Sequence, residues 1–186
     1  MILETPSLTL RPFTPADADA LARAANDRRI WANLRDRFPH PYTRADAEGW
    51  IAFCAGRPEP GENLAIAVAG EVAGGIGLER FGDVHRNTAE IGYWLGAAYW
   101  GRGLATEAVV ALTRYGFEAL GLERIQAPVF DWNVASARVL EKAGYTLEAR
   151  MRRHVVKDGR LADALLYARI REEGVAGEPP SRHELA

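Results

Sequence analysis

Apolar and polar positions follow two rhythms along the chain, one of period two and one of period 3.6. In T-P-S-L-T-L-R-P, within residues 3–12, Leu8 and Leu10 fall on one face and Thr9 and Arg11 on the other, which suits a strand at a sheet edge. Thr14-Pro15-Ala16-Asp17 then offers an N-cap, a proline at the first helical position and an acid at the third, predicting a helix through about Asn26. Thr43 with Asp46 repeats the capping pattern and starts a second helix through Trp50, Ile51, Phe53 and Cys54. The intervening R-R-I-W-A-N-L-R-D-R-F-P-H-P-Y is rich in arginine and aromatics and is broken by Pro39 and Pro41. A connection this long in a compact domain either lines a cleft or covers the core with Trp31, Phe38 and Tyr42.

Residues 57–63 form a proline and glycine loop, followed by two predicted strands, residues 64–68 and 72–78, around a Gly70-Glu71 turn. Gly74, Gly75 and Gly77 would weaken the second strand unless a bulge or a neighbouring backbone makes use of them. Polar residues 82–88 lead into a strand at 89–95 in which Ile91, Tyr93 and Leu95 share one face. Past a long helix, Gly121 reads as a C-terminal cap. A strand at 124–130 follows, then a helix entered through Asp131-Trp132-Asn133-Val134-Ala135-Ser136 and ended at Gly144, with Val139 and Leu140 facing inward. Strands at 145–151 and 161–170 are joined across Lys157-Asp158-Gly159, whose Asp-Gly pair is a strong hairpin signal. From Arg171 the apolar period is lost, so residues 1–170 are expected to form one domain and 171–186 a frayed tail.

The stretch that organises the rest is Y-W-L-G-A-A-Y-W-G-R-G-L-A-T-E-A, beginning at Tyr93. It reads as a strand end, a turn through Gly101-Arg102-Gly103, and a helix whose apolar positions Leu104, Ala108, Ala111, Leu112, Tyr115 and Ala119 recur at helical spacing. A helix N-terminus carries unpaired N–H groups and the positive end of the macrodipole, and small residues let an anion approach them. On the glycines alone, a phosphate cradle and an ordinary tight entry into a core helix are both open. A P-loop is excluded because no Lys-Ser or Lys-Thr closes the turn, and a dinucleotide fingerprint would place glycine where Thr106 stands.

Trp100-Gly101-Arg102-Gly103-Leu104-Ala105 resembles the acetyl-CoA pyrophosphate loop of the GNAT superfamily of N-acetyltransferases, written Q/R-x-x-G-x-G/A. Gly103 and Ala105 match its small positions, and Trp100 departs from the leading Gln or Arg. The wider text I-G-Y-W-L and Y-W-G-R-G-L-A-T-E-A, with the L-x-L-R-P opening, is similar to the branch that includes ribosomal-protein N-terminal acetyltransferases, where an aromatic is common at that place. The resemblance implies a mixed α/β single domain: a mostly antiparallel central sheet, one splayed parallel strand pair at the cofactor cleft, and helices on both faces. It implies an acyltransferase that moves acetyl from acetyl-CoA to a primary amine, and cofactor contacts at Tyr93, Trp94, Leu95, Trp100, Gly101, Arg102, Gly103, Leu104, Ala105, Thr106, Asn133 and Ser136. Asn133 and Ser136, in N-x-x-S, resemble the family's second fingerprint, with the Asn on the pantetheine arm and the Ser near the sulfur. Read without the family, they are helix-capping residues.

The catalytic candidates are therefore Ser136, to protonate the departing thiolate, and Glu90, to take the proton of the amine. Glu79, His85 and Asp163, the last in text similar to the family's D-x-x-x-Y, compete as bases, as does water. Tyr145 matches a family core position and is expected to pack, with a weak claim on the thiolate. His40 and His154 are noted because imidazole titrates near neutrality. The acceptor is expected to be read by residues 28–42 and 82–88. It is a protein N-terminus or, alternatively, a small amine such as a polyamine, amino acid or drug; a silent CoA-binding module is the reading outside enzymes.

Composition narrows the partners. The chain has 186 residues, 48% hydrophobic and 26% charged, enough for one sizeable core. A formal net charge of -2 gives no global basic footprint for nucleic acid or anionic lipid. No apolar run approaches the roughly 18 to 20 residues of a membrane span. The single cysteine, Cys54, forms no internal disulfide, and Glu4 and Arg11 stand where a signal peptide would be apolar, so a cytoplasmic protein is expected. No Cys or His pair has metal-ligand spacing, so no metal is expected. A homodimer is left open.

Overall fold

The structure, a computed structural model, describes residues 1–56 and 62–172. The predicted loop at 57–63 and the predicted tail thus lie mostly outside the described residues. The elements in chain order are β1 (Leu3–Glu4), β2 (Thr9–Arg11), α1 (Ala18–Ala25), α2 (Arg28–Trp31), α3 (Arg44–Ala55), β3 (Leu64–Val68), β4 (Glu71–Arg80), β5 (Thr88–Leu95), α4 (Leu104–Glu118), β6 (Arg124–Phe130), α5 (Val134–Lys142), β7 (Thr146–Lys157) and β8 (Arg160–Ile170). Among the described residues the strands form one eight-stranded sheet in the order β1-β2-β3-β4-β5-β6-β8-β7, antiparallel except between β5 and β6. No helix among them is long and apolar enough to cross a membrane.

Both capping patterns start helices as read. Thr14 and Asp17 exchange their bonds, the Thr14 N–H donating to Asp17 Oδ2 at 2.7 Å, through a 3₁₀ turn that leads into α1. Thr43 and Asp46 do the same for α3. Each face of the sheet carries its own core. On one, α1 and α3 bury Leu21, Ala25, Ala47 and Ile51 against Ala65 and Val72. On the other, α4 and α5 bury Leu104, Ala108, Val109, Leu112, Phe117 and Leu140 against Ile66, Leu78, Ile91 and Ile125. Burying a side chain of this size stabilises the fold by roughly 1.5–3 kcal/mol, so the two cores dominate the folding energy.

Four expectations are corrected. Residues 3–12 form two strands instead of one: β1 is the sheet edge and folds back on β2, with Leu3 opposite Leu10. The turn between β3 and β4 is Ala69-Gly70, at φ 49° and 85°, and Glu71 already pairs with Val68. A two-residue turn of this hand needs positive φ at both central positions, which places Gly70 second and leaves Glu71 in the strand. Ala119 lies exposed beyond the end of α4, whose buried stripe runs instead through Val109, Thr113 and Gly116. Finally, β7 continues past Met151 to Lys157, carried through two register shifts, with Arg153 at φ 53°. Asp163 holds that irregularity by accepting the Arg153 N–H at 2.8 Å.

The glycines of β4 serve the close approach inferred for them. Between the pairs Ile66–Gly74 and Ala67–Val72, β4 has one residue more than β3, a bulge at Ala73. A Cβ on Gly74 would stand 2.1 Å from the Trp94 carbonyl oxygen, and one on Gly77 would stand 1.7 Å from that of Glu62. Backbone is on the other side in both places, so a methyl group cannot be accommodated by a rotamer change. Gly77→Ala should therefore cost about 1–3 kcal/mol of stability or more, read from the midpoint of chemical unfolding; a parent-like curve would contradict the contact.

Candidate functional site

The parallel pair opens. Strands β5 and β6 are in register at Thr88–Arg124, Ala89–Ile125 and Glu90–Gln126 and then part. Beyond that point β5 stays paired with β4 as far as Leu95, and β6 with β8 as far as Phe130. The wedge is part of a cavity of about 1750 Å³ lined by the inner edges of both strands, by Gly101 and Gly103–Thr106, and by Asn133 and Ser136. Tyr93, Trp94, Leu95 and Trp100 also line it, so the cleft brings together every expected cofactor residue except Arg102. The Arg102 guanidinium instead lies over the Tyr99 ring, 5.9 Å from its centre.

The turn into α4 has the geometry of a cradle. Gly101 and Gly103 have φ 74° and 78°, and an added Cβ at either would meet nothing within 4 Å. Conformation, not crowding, thus selects glycine, and the space before the helix is clear. Gly103 is the N-cap and has no side chain to accept from the first turn. The leading amides of α4 therefore keep their donors and the positive end of the dipole for an anion, which fits a pyrophosphate. The departure at Trp100 has a structural role: its indole N–H donates to the Leu95 carbonyl at 2.8 Å and pins the turn to the end of β5.

Across the wedge, Asn133 caps α5 by accepting the Ser136 N–H at 3.2 Å. The Ser136 hydroxyl lies 2.8 Å from the Tyr93 hydroxyl, which can also donate to the Ser136 carbonyl at 3.1 Å. Burial pushes the Tyr93 phenol well above its ordinary range, so it stays protonated and able to donate. Sequence reasoning placed Tyr93 at the cofactor but missed this bond. The facing positions lie on different elements, and no local pattern links them.

The β4 side of the cleft is built by Glu79, Glu90 and a segment that crosses it. Glu90 faces Glu79 in register on β4, and its carboxyl group is pushed above the usual range by burial, against the opposing pull of Arg35. Residues 28–42 were expected to line a cleft or to cover the core, and they do both. Ile30 and Tyr42 are buried, while Arg29, Asn33 and Arg35–Pro39 line the cavity. The short helix α2 in this segment was not anticipated; Asp27 caps it, accepting the Arg29 N–H at 2.8 Å. Asn33 accepts from the Trp132 indole at 3.0 Å, and Arg29 lies 5.0 Å from the centre of the Trp100 ring. From the β7–β8 hairpin, the Lys157 ammonium sits 3.9 Å from the centre of the Trp31 ring and 2.8 Å from Asp36.

The remaining candidates separate cleanly. Asp163 is committed to Arg150, at 2.7 Å, and to the Arg153 amide, and His85 stands in an exposed turn outside the cavity lining. Residues 82–88, expected to read the acceptor, contribute nothing to that lining. Tyr145 is buried with its hydroxyl 2.7 Å from Thr113 Oγ1, which places it in the core as expected and away from the cleft. His154 lines the cavity, whereas His40 lies outside the lining, its ring centre 6.1 Å from that of Trp31. Among the described residues, no group of three or more His, Cys, Asp or Glu could hold a metal ion.

The comparisons agree with this geometry. The acetyltransferase (GNAT) domain family matches residues 7–146. The uncharacterized N-acetyltransferase p20 of Bacillus licheniformis is 31% identical over 176 residues, covering 92% of this chain and 97% of that protein. The ribosomal-protein-serine acetyltransferase of Escherichia coli is 31% identical over 100 residues, 54% of this chain and 55% of its own length. Among solved structures, RimJ of Mycobacterium smegmatis in complex with CoA-disulfide has a TM-score of 0.77 at 30% identity, over 92% of this chain and 87% of that one. With the splayed strand pair, the glycine turn and the flanking helices all in place, the chain belongs to the GNAT family and is an acetyl-CoA-dependent N-acetyltransferase.

Proposed function

We propose that the acceptor is the α-amine at a protein N-terminus, that Glu90 takes its proton and that Ser136, backed by Tyr93, donates to the departing thiolate. The observation that carries the reading is the cleft itself. Its lining runs from the turn before α4 past Ser136 to Glu90 and the segment 29–42, which gives a polypeptide end an approach to Glu90 beside the cofactor arm. The similarity to the Escherichia coli ribosomal-protein-serine acetyltransferase supports a protein acceptor.

Acetyl-CoA supplies the activated thioester. The turn Gly101–Gly103 and the first amides of α4, through Thr106, would hold its pyrophosphate, and the unpaired inner edge of β5 at Tyr93–Leu95 would hold its pantetheine arm with Asn133 opposite. Held this way, the acyl carbon meets the amine between Glu90 and Ser136. Attack needs a neutral amine, so the partly buried Glu90 carboxylate on the acceptor side is suitably placed to remove the proton. The amine nitrogen bonds to the acyl carbon as the C–S bond breaks, and the electron pair on sulfur takes a proton from the Ser136 hydroxyl, which recovers one from solvent while the Tyr93 O–H, protonated throughout, holds it by a hydrogen bond. Capping does not compete with this, because Asn133, not Ser136, supplies the capping oxygen.

Three outcomes test the reading. Gly103→Val should stay folded yet lose CoA affinity by about tenfold or more, because a strained backbone costs about 1–3 kcal/mol and the side chain enters the cradle; calorimetric titration reads it, and unchanged affinity would remove the cradle. Ser136→Ala should slow single-turnover acetyl transfer by roughly 10-fold to several hundred-fold, within the range of general-acid catalysis, with CoA affinity nearly unchanged. Tyr93→Phe should follow in the same direction with a smaller loss, and parent-like rates in both variants would return the pair to a packing role. Across peptides and small amines, thioester consumption should favour peptides, with a rate that climbs through a midpoint near about pH 8 for an α-amine and above about pH 10 for a lysine-like amine. Preference for a polyamine, amino acid or drug would overturn the acceptor assignment.

A further inference from the structure

Arg35 is paired with both glutamates of the cleft, Glu79 and Glu90. It is half exposed at 49%, follows α2 in the segment that crosses the cleft, and places its guanidinium between the two carboxylates of the acceptor side. One terminal nitrogen pairs with Glu90 Oε1, and the other lies 3.4 Å from Glu79 Oε2. The two glutamates differ sharply in setting: the Glu90 side chain is 17% exposed and that of Glu79 is 61% exposed. They face each other across β4 and β5, so the Glu79 carboxylate disfavours ionisation of Glu90. The remaining groups that face Glu90 are Arg37, on the same segment as Arg35, and the neutral Gln126 in register on β6. Arg35 is thus the cation in direct contact with the carboxylate that the proposed mechanism uses as base.

We propose that Arg35 is a positioning residue for acetyl transfer: by spanning Glu79 and Glu90 it keeps Glu90 ionised and aimed into the cleft until an amine arrives to take its place. The inference rests on the reading of Glu90 as proton acceptor. Burial and Glu79 both favour the neutral carboxylic acid, which cannot accept a proton, and Arg35 is the direct contact that opposes them. An acceptor amine reaches Glu90 as a cation and can exchange with the guanidinium without leaving the carboxylate unpaired. The protein thereby avoids a bare buried charge while the site is empty of acceptor.

The sign of the effect follows directly. Removing a positive charge beside a carboxylate raises the pH at which that carboxylate ionises, so Arg35→Gln should shift the Glu90 titration upward by about one pH unit. Carbon-13 NMR of labelled glutamate in the free protein reads this without turnover, the Glu90 signal being identified by its absence in Glu90→Gln. The acidic limb of kcat/KM, measured with a weakly basic primary amine that stays neutral over the range, should move up by the same amount. The rate should then fall about tenfold at the acid end and little at the alkaline end, and Arg35→Lys should bring both titrations back toward the parent. Thermal unfolding of each variant checks that the fold is retained. An unmoved Glu90 signal in folded Arg35→Gln would overturn the coupling. A moved signal with an unmoved kinetic limb would overturn Glu90 as base, and Arg35's part in the reaction would fall with it. Loss of the limb in Glu90→Gln, with the shift seen in Arg35→Gln and reversed in Arg35→Lys, would uphold both.

Discussion

Backbone hydrogen bonding between β5 and β6 ends at Glu90 and Gln126, and the site depends on that break. A parallel pair in the middle of a sheet is ordinarily buried on both sides and closed along its length. Here each strand keeps its outer partner and loses its inner one, so a row of peptide groups faces an opening instead of a neighbour. Unsatisfied backbone is costly in a dry interior and cheap where it lines a cleft open to water or ligand. The two hydrophobic cores on opposite faces hold the halves of the sheet firmly enough to keep the wedge open.

What surrounds the wedge divides the chemistry by polarity. On the α4 side the turn offers amide donors and a helix dipole, with no nearby atom where the Cβ of Gly101 or Gly103 would be. On the β4 side the charges are carboxylates under partial burial, balanced by a single arginine in direct contact. Between these ends Tyr93 and Ser136 link β5 to α5 by hydroxyl groups that carry no charge. Under the proposed arrangement an anionic cofactor and a cationic acceptor would meet opposite fields at the two ends, a form of electrostatic sorting.

The parts legible in sequence were those with local causes. Both capping boxes, the Asp-Gly hairpin, the glycine turn before α4 and the alternation of β5 depend on residues a few positions apart, and each was found where expected. Pro128 also carried an unused signal: a proline lacks the N–H that a central strand would donate, and it falls in the half of β6 that no longer pairs with β5. What stayed hidden was the bonding between distant segments. Arg35 at Glu90, Trp132 at Asn33 and Lys157 at Trp31 join residues 55, 99 and about 126 positions apart, and nothing local marks them. The family resemblance supplied cofactor contacts but no acceptor geometry, because residues 28–42 answer to tertiary contacts, not to a motif.

The long outer strand β7 has a consequence for how copies of the protein can meet. Among the described residues its outer edge has no partner strand, and twelve residues of regular edge would invite another chain to add a strand. Two breaks in register bend this edge, Arg153 turns the backbone left-handed at one of them, and Arg150, Arg152 and Arg153 crowd like charges along it. Two such edges brought side by side would meet mismatched spacing and mutual repulsion. On this side the sheet therefore offers another copy no regular ladder to extend.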